Sequence, residues 1–115
     1  MKAWYVTDKN GSTGIAYVVF AETRGKAVQI AMRNHDDFDW YTWNDMRATR
    51  MQKMDQYYCG KQEMDWCDME DRVLLAREAG FFCSYEVPVT LEDCLSCPAH
   101  PWCERYDSVK GEEKP

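Results

Sequence analysis

The sequence predicts a small α+β fold: a mixed or antiparallel sheet opening with an N-terminal hairpin, two helices, and a C-terminal cysteine-rich knuckle. Three observations predict it. Two runs rich in aromatic and β-branched residues, AWYVT (3–7) and GIAYVVFA (14–21), stand on either side of a turn signal. Two later segments repeat their apolar residues at the helical period. Near the end, CLSCPAHPWC (94–103) concentrates three cysteines between prolines.

Each element has its own warrant. Asn10-Gly11 supplies the positive φ angles of a tight hairpin turn, so the first two runs pair antiparallel. Thr23 suits an N-cap, and in RGKAVQIAMRN the residues Ala27, Val28, Ile30 and Ala31 fall near one helical face. HDDFDWYTWND (35–45) breaks periodicity and reads as a loop. DMRATRMQKM (45–54) alternates weakly and reads as a third strand. The second helix is MEDRVLLAREAG: Asp68 caps it, Glu70 and Asp71 suit its positive end, and Gly80 stands just past its end. Its inward stripe is expected to be Met69, Val73, Leu75 and Ala76. FFCSYEV (81–87) reads as a strand ending at Pro88. The expected organisation is an α+β core over 1–88, a knuckle over 89–106 integrated with it, and a flexible tail over 107–115.

Composition narrows the function. The chain has 115 residues, 45% hydrophobic and 14% aromatic, with five Trp, enough for a modest core. A formal net charge of −6 argues against binding nucleic acid through its phosphates and suits a basic protein partner. The start MKAWYVT lacks the features of a signal peptide, and the longest apolar run, IAYVVFA, is far shorter than the roughly 20 residues that span a bilayer. A cytoplasmic setting without membrane contact, where thiols stay reduced, is therefore expected.

The cysteines are the strongest chemical signal. Cys94 and Cys97 have the C-x2-C spacing that brings two thiolates to one ion from a tight turn. Adding Cys83 and Cys103 gives C-x10-C-x2-C-x5-C, a four-sulfur set. Zinc is the first choice, because a tetrahedral thiolate cage adds directly to the folding of a small core. A [4Fe–4S] cluster takes the same four thiolates. Disulfides are disfavoured without a secretory signal. Buried, metal-free thiols are the plain alternative. His100 lies inside the loop as a substitute ligand. Cys59 and Cys67 read as structural thiols, either of which is able to replace Cys83.

Other patterns carry less. HDDFD groups His35, Asp36, Asp37 and Asp39, but oxygen-rich metal sites draw ligands from several elements, so a solvated acidic loop is expected. TRGKAV lacks the earlier glycine and the Ser/Thr of a phosphate loop. Neither His35 nor His100 stands in a recognisable nucleophile–base arrangement, so an enzyme is not expected. The aromatics of the irregular segments are expected to be mostly core. Trp40 and Trp43 are the candidate partner anchors, within an acidic rim that includes Asp36, Asp37 and Asp39.

Two resemblances follow from these residues. The final C-x2-C-x5-C resembles the iron–sulfur clasp of Cas4-like and AddB-like nucleases over about ten residues, without the Asp…Glu-x-Lys core of a nuclease. MDWCDMEDRVLLAREAGFFCSYE followed by CLSCPAHPWC, with the start AWYVTDKNGSTG and VVFAETRGKA, resembles small uncharacterised open reading frames of phages and integrated elements of Gram-positive bacteria. That resemblance implies a bacterial intracellular setting and an accessory role, with no functional residue to transfer. The leading expectation is a non-enzymatic phage or mobile-element protein with a structural metal site that binds a protein, an inhibitor of a host nuclease or defence complex being one form. The alternatives are an iron–sulfur or redox protein assisting nucleic-acid processing, and a metal-free structural domain.

Overall fold

The computed structural model describes residues 1–10, 15–83 and 89–112, with backbone only at Asp37 and Glu112. It is an α+β structure in two compact units, Met1–Met64 and Asp65–Pro115. The division falls after Met64, where the sequence reading placed a boundary at 88/89.

In the N-terminal unit, β1 (Lys2–Asp8) is the central strand, antiparallel to both β2 (Tyr17–Ala21) and β3 (Met46–Arg50), giving the order β2-β1-β3. The expected hairpin and third strand are present. The Asn10-Gly11 turn runs into residues outside the described set. Alternation along the strands divides their side chains between two faces. On one, Trp4, Val6, Val19, Ala21, Met46 and Ala48 pack with Ala27, Val28 and Ala31 of α1 (Arg24–Asn34) and with Phe38. Trp4 is satisfied inside this cluster by donating its indole N–H to the Ala21 carbonyl at 3.1 Å.

The other strand residues, Ala3, Val18 and Phe20, are also buried, as are Met54 and Met64. Met54 belongs to a 3-10 turn (Gln52–Tyr57), and Phe20 meets Tyr58 with ring centroids 5.3 Å apart. The segment continues along the open edge of β2: Phe20 N–H donates to the Gln62 carbonyl (2.7 Å) and Met64 N–H to the Val18 carbonyl (3.0 Å). This pairing covers an edge that would otherwise invite another strand.

Its return is fixed by Arg50 and Asp55. Arg50 Nη1 donates to Asp55 Oδ1 (2.6 Å) and to the Ala3 carbonyl (3.1 Å), and Ala3 N–H donates to Asp55 Oδ1 (2.7 Å). The Arg50 guanidinium holds the Asp55 carboxyl down to a pKa of about 2, helped by the Ala3 N–H.

The C-terminal unit has no strand among its described residues. Phe81–Cys83 are irregular, and the rest of the strand expected over 81–87 lies outside the described set. Four short elements make the unit: α2 (Met69–Ala79), α3 (Leu91–Ser96), a 3-10 turn (His100–Trp102) and α4 (Glu104–Glu112). Residues 107–112, read from the sequence as tail, continue α4, and Val109 within it is buried.

The caps of α2 are as expected. Asp68 Oδ2 accepts from Asp71 N–H at 3.0 Å, and Gly80 closes the helix in the left-handed region at φ 73°. Its inward face differs from the expected stripe. Leu75 and Ala76 are buried, but Met69 is 52% exposed and Asp71 takes an inner position. Asp71 is tolerated there because its Oδ2 accepts from Asp65 N–H at 2.9 Å. No described helix is long and apolar enough to cross a membrane.

Candidate metal centre

Four of the six cysteines meet in the C-terminal unit. Cys94 sits in α3, whose start is set by a capping box: Asp93 N–H donates to Thr90 Oγ1 (3.2 Å), and Thr90 N–H donates to Asp93 Oδ2 (3.0 Å). Cys97 ends that helix, its N–H on the Cys94 carbonyl at 3.0 Å. Cys103 lies between the 3-10 turn and α4, and Cys83 follows α2 after three residues. All four line one cavity of about 150 Å³, and the described cysteines are all free thiols. The four cysteines named from spacing thus border the same cavity.

The electrostatics match that convergence. Burial pushes the Cys83 thiol up, and the neighbouring Cys103 and Cys97 add to the shift. Burial likewise raises Cys94, with Cys103, Cys83 and Cys97 contributing. Cys83 and Cys94 are worse thiolates for their burial and for the thiols beside them, as like charges gathered out of water must be.

Three groups oppose this. Arg72, from α2, places Nη1 3.7 Å from Cys97 Sγ and acts favourably on Cys83. Arg105 does the same for Cys94, and the Trp66 side chain hydrogen-bonds Cys83. Arg72 is itself held in place, its Nε donating to the Trp66 carbonyl at 2.8 Å while the guanidinium lies 5.3 Å from the Trp66 ring centroid. His100 also lines the cavity, with Nδ1 2.9 Å from the Cys97 carbonyl oxygen, which leaves Nε2 as the nitrogen available to a ligand.

The arrangement has the donors of a four-thiolate centre and the charges to balance one. Four thiolates around a divalent ion or a [4Fe–4S]²⁺ core form a doubly negative group, and two arginines stand beside it. Zinc bound at about 2.3 Å draws tetrahedral sulfurs to about 3.8 Å of one another. Here the thiols border an open cavity, and among the described residues no three His, Cys, Asp or Glu side chains are grouped closely enough to hold one ion.

The remaining candidates fall elsewhere. Cys59 and Cys67, read from the sequence as structural thiols, are exposed and do not line the cavity. In HDDFD, Phe38 is buried, whereas His35 stacks on Tyr17 (centroids 3.5 Å) and places Nε2 2.7 Å from Glu63 Oε2. Asp36 and Asp39 are exposed, and the Asp37 side chain lies outside the described set.

The two tryptophan anchors differ. Trp40 is 95% exposed beside Asp39, but Trp43, 52% exposed, lines a pocket with Lys9, Arg24 and Arg47. Sequence reasoning missed Arg72, Arg105 and Trp66 as supports of the thiols. The T-x-x-D box at Thr90 was the one local signal that would have placed Cys94 on a helix.

No protein-family model, curated protein or solved structure matches this chain. The functional reading therefore rests on the residues and their geometry.

Proposed function

We propose that this is a non-enzymatic binding protein whose C-terminal unit is closed by a four-thiolate metal centre on Cys83, Cys94, Cys97 and Cys103. The observation that carries the reading is that four thiols from residues 83–103 border one cavity, with Arg72 and Arg105 beside them. The size of that cavity favours a [4Fe–4S] cluster over the zinc ion that spacing alone put first. When bound, the group would cross-link the segments before α3, along it and after it. Its role is structural: it would join short elements that share few buried apolar side chains.

The N-terminal unit is the partner-binding part in this reading. Trp40 has almost no contact that would explain a large ring on the surface, and the exposed Asp36 and Asp39 give its surroundings negative charge. Rigid aromatic rings in a charged rim are effective anchors for a partner of opposite charge. An accessory protein of a phage or mobile element, acting on a basic protein of its host cell, fits this surface and the net charge of −6. Inhibition of a nuclease or defence complex is its narrower form.

Anaerobic purification followed by visible spectroscopy and by iron, sulfide and zinc analysis tests the centre. Broad absorption with about four iron and four sulfide per chain is expected. Stoichiometric zinc without sulfide would replace the cluster with the single-ion site, and metal-free folded protein would overturn the four-thiolate reading altogether.

A further inference from the structure

The N-terminal unit holds a second concave site, of opposite electrostatic character to the surface around Trp40. A pocket of about 390 Å³ opens between the end of β1, β3 and the first turn of α1, a size within the range of small-molecule sites. Lys9, Arg24 and Arg47 line it, and no carboxylate does. None of the three forms an ion pair with a described residue. Asp45 lies within electrostatic reach of Lys9, but its Oδ2 is engaged by the N–H (2.8 Å) and hydroxyl (2.9 Å) of Thr42. In a chain with 20 acidic and 14 basic residues, these three cations gather at one pocket whose described lining holds no carboxylate.

The helix beside the pocket shows the same conflict. The first turn of α1 carries Arg24 and Lys26 and no acidic residue, which sets positive side chains against the positive end of the helix dipole. An ordinary helix start places Asp or Glu there, as α2 does with Glu70 and Asp71. Sequences break such local rules at functional sites, and an anion in the pocket would remove the conflict.

The pocket's remaining feature is Trp43. A Cβ built on Gly25 would lie 3.4 Å from Trp43 Cζ2, so the indole stands within van der Waals reach of the helix start. The ring is half-exposed next to the three cations and offers a face to a planar group.

We infer that this pocket binds a small phosphorylated ligand with a planar ring, of the nucleotide class, its phosphate held by Lys9, Arg24 and Arg47 and its ring stacked on Trp43. The site lies wholly in the N-terminal unit and depends on neither the metal centre nor the partner surface.

Titration of the intact protein with adenosine monophosphate, adenosine and inorganic phosphate, followed by calorimetry and by amide shifts, tests it. Saturable binding of the monophosphate is expected, with shifts at residues 9, 24–28 and 43–48. Adenosine and phosphate should each bind at least 10-fold more weakly. Arg24→Ala with Arg47→Ala should weaken the monophosphate at least 10-fold while the melting temperature is kept, and Trp43→Ala should reduce its advantage over free phosphate. Shifts that do not saturate, equal binding of free phosphate, or affinity untouched by the double arginine variant would each overturn the assignment. Tighter binding of an acidic peptide than of the nucleotide would overturn it as well.

Discussion

The two units achieve order by different means. In the N-terminal unit a sheet, a helix and a covering segment enclose large apolar side chains, among them Trp4, Phe20, Phe38 and Met54. In the C-terminal unit the buried apolar residues among those described are small or few: Leu75, Ala76, Ala99 and Val109, with the thiols of Cys94 and Cys103. That unit leaves Met69, Phe82, Leu95 and Trp102 exposed. Apolar burial stabilises roughly in proportion to area, so among the described residues the first unit has the larger apolar core.

The largest expected effect separates the units most directly. Cys97→Ser removes one thiolate and frees the Arg72 guanidinium from its sulfur. We expect the C-terminal unit to lose about 3 kcal/mol or more, a modest part of the about 10–16 kcal/mol that structural zinc contributes in zinc-finger peptides. Amide hydrogen exchange read unit by unit should show lost protection over 90–110 and unchanged protection in β1 and β2. Phe38→Ala is the converse. It empties a fully buried position of the N-terminal cluster and should cost about 3–5 kcal/mol there. Chelation should reproduce the first pattern and not the second; equal loss in both units under chelation would remove the distinction.

A smaller, pH-dependent effect belongs to the N-terminal unit alone. Asp55 titrates near 2 when folded, below the ordinary value of 3.8, because Arg50 and the Ala3 N–H bind its charged form. A depressed carboxyl contributes stability that is complete above its unfolded pKa and is lost as pH falls through its folded one. The window therefore runs from about pH 4 down to about pH 2. With the side chains about one-third exposed (31% and 30%), solvent screens the pair, so the expected contribution is modest, about 1 kcal/mol. Asp55→Asn should lower the melting temperature at pH 7 and flatten its fall between pH 4 and pH 2. A variant whose acid profile matched the parent would show that the depressed carboxyl does not govern that fall.

How much of this was legible beforehand also divides along the chain. The sheet and α1 were readable, because β-branched alternation, the Asn-Gly turn and the Thr23 cap all agree locally. Trp43 was readable as exposed but not as a neighbour of cations, since Lys9 and Arg47 reach it only through strand pairing. In the C-terminal unit the cysteine spacing named four thiols that line one cavity, yet three of its elements went unread. α4 has a polar sequence with little apolar period, and the Thr90 box opens a helix of only six residues. The strand expected from FFCSYEV failed over residues 81–83 because β-propensity needs a sheet to join, and none is present among the unit's described residues. Arg72 was invisible for a related reason: a basic residue in the middle of a helix reads as solvated until a sulfur is brought beside it.

A last comparison is between two glycines that hold positive φ among the described residues, one in each unit. Gly60 lies at φ 104° and Gly80 at φ 73°, and neither has an atom within 4 Å of where a Cβ would stand. The cost of a side chain at either position is therefore backbone strain rather than a clash, about 1–2 kcal/mol for alanine. At Gly80 the left-handed turn lets the N–H groups of Gly80 and Phe81 reach the Leu75 carbonyl, and Phe81 leads two residues later to Cys83. Gly80→Ala should weaken this turn and lower metal affinity along with the stability of the C-terminal unit. Gly80→Asn should do less, because asparagine tolerates the left-handed region. Gly60→Ala should leave metal affinity unchanged, since its strain falls in the other unit. Equal loss of metal affinity in the Gly60 and Gly80 variants would show that the thiol site depends on the whole chain, and that the second unit does not hold its cysteines by itself.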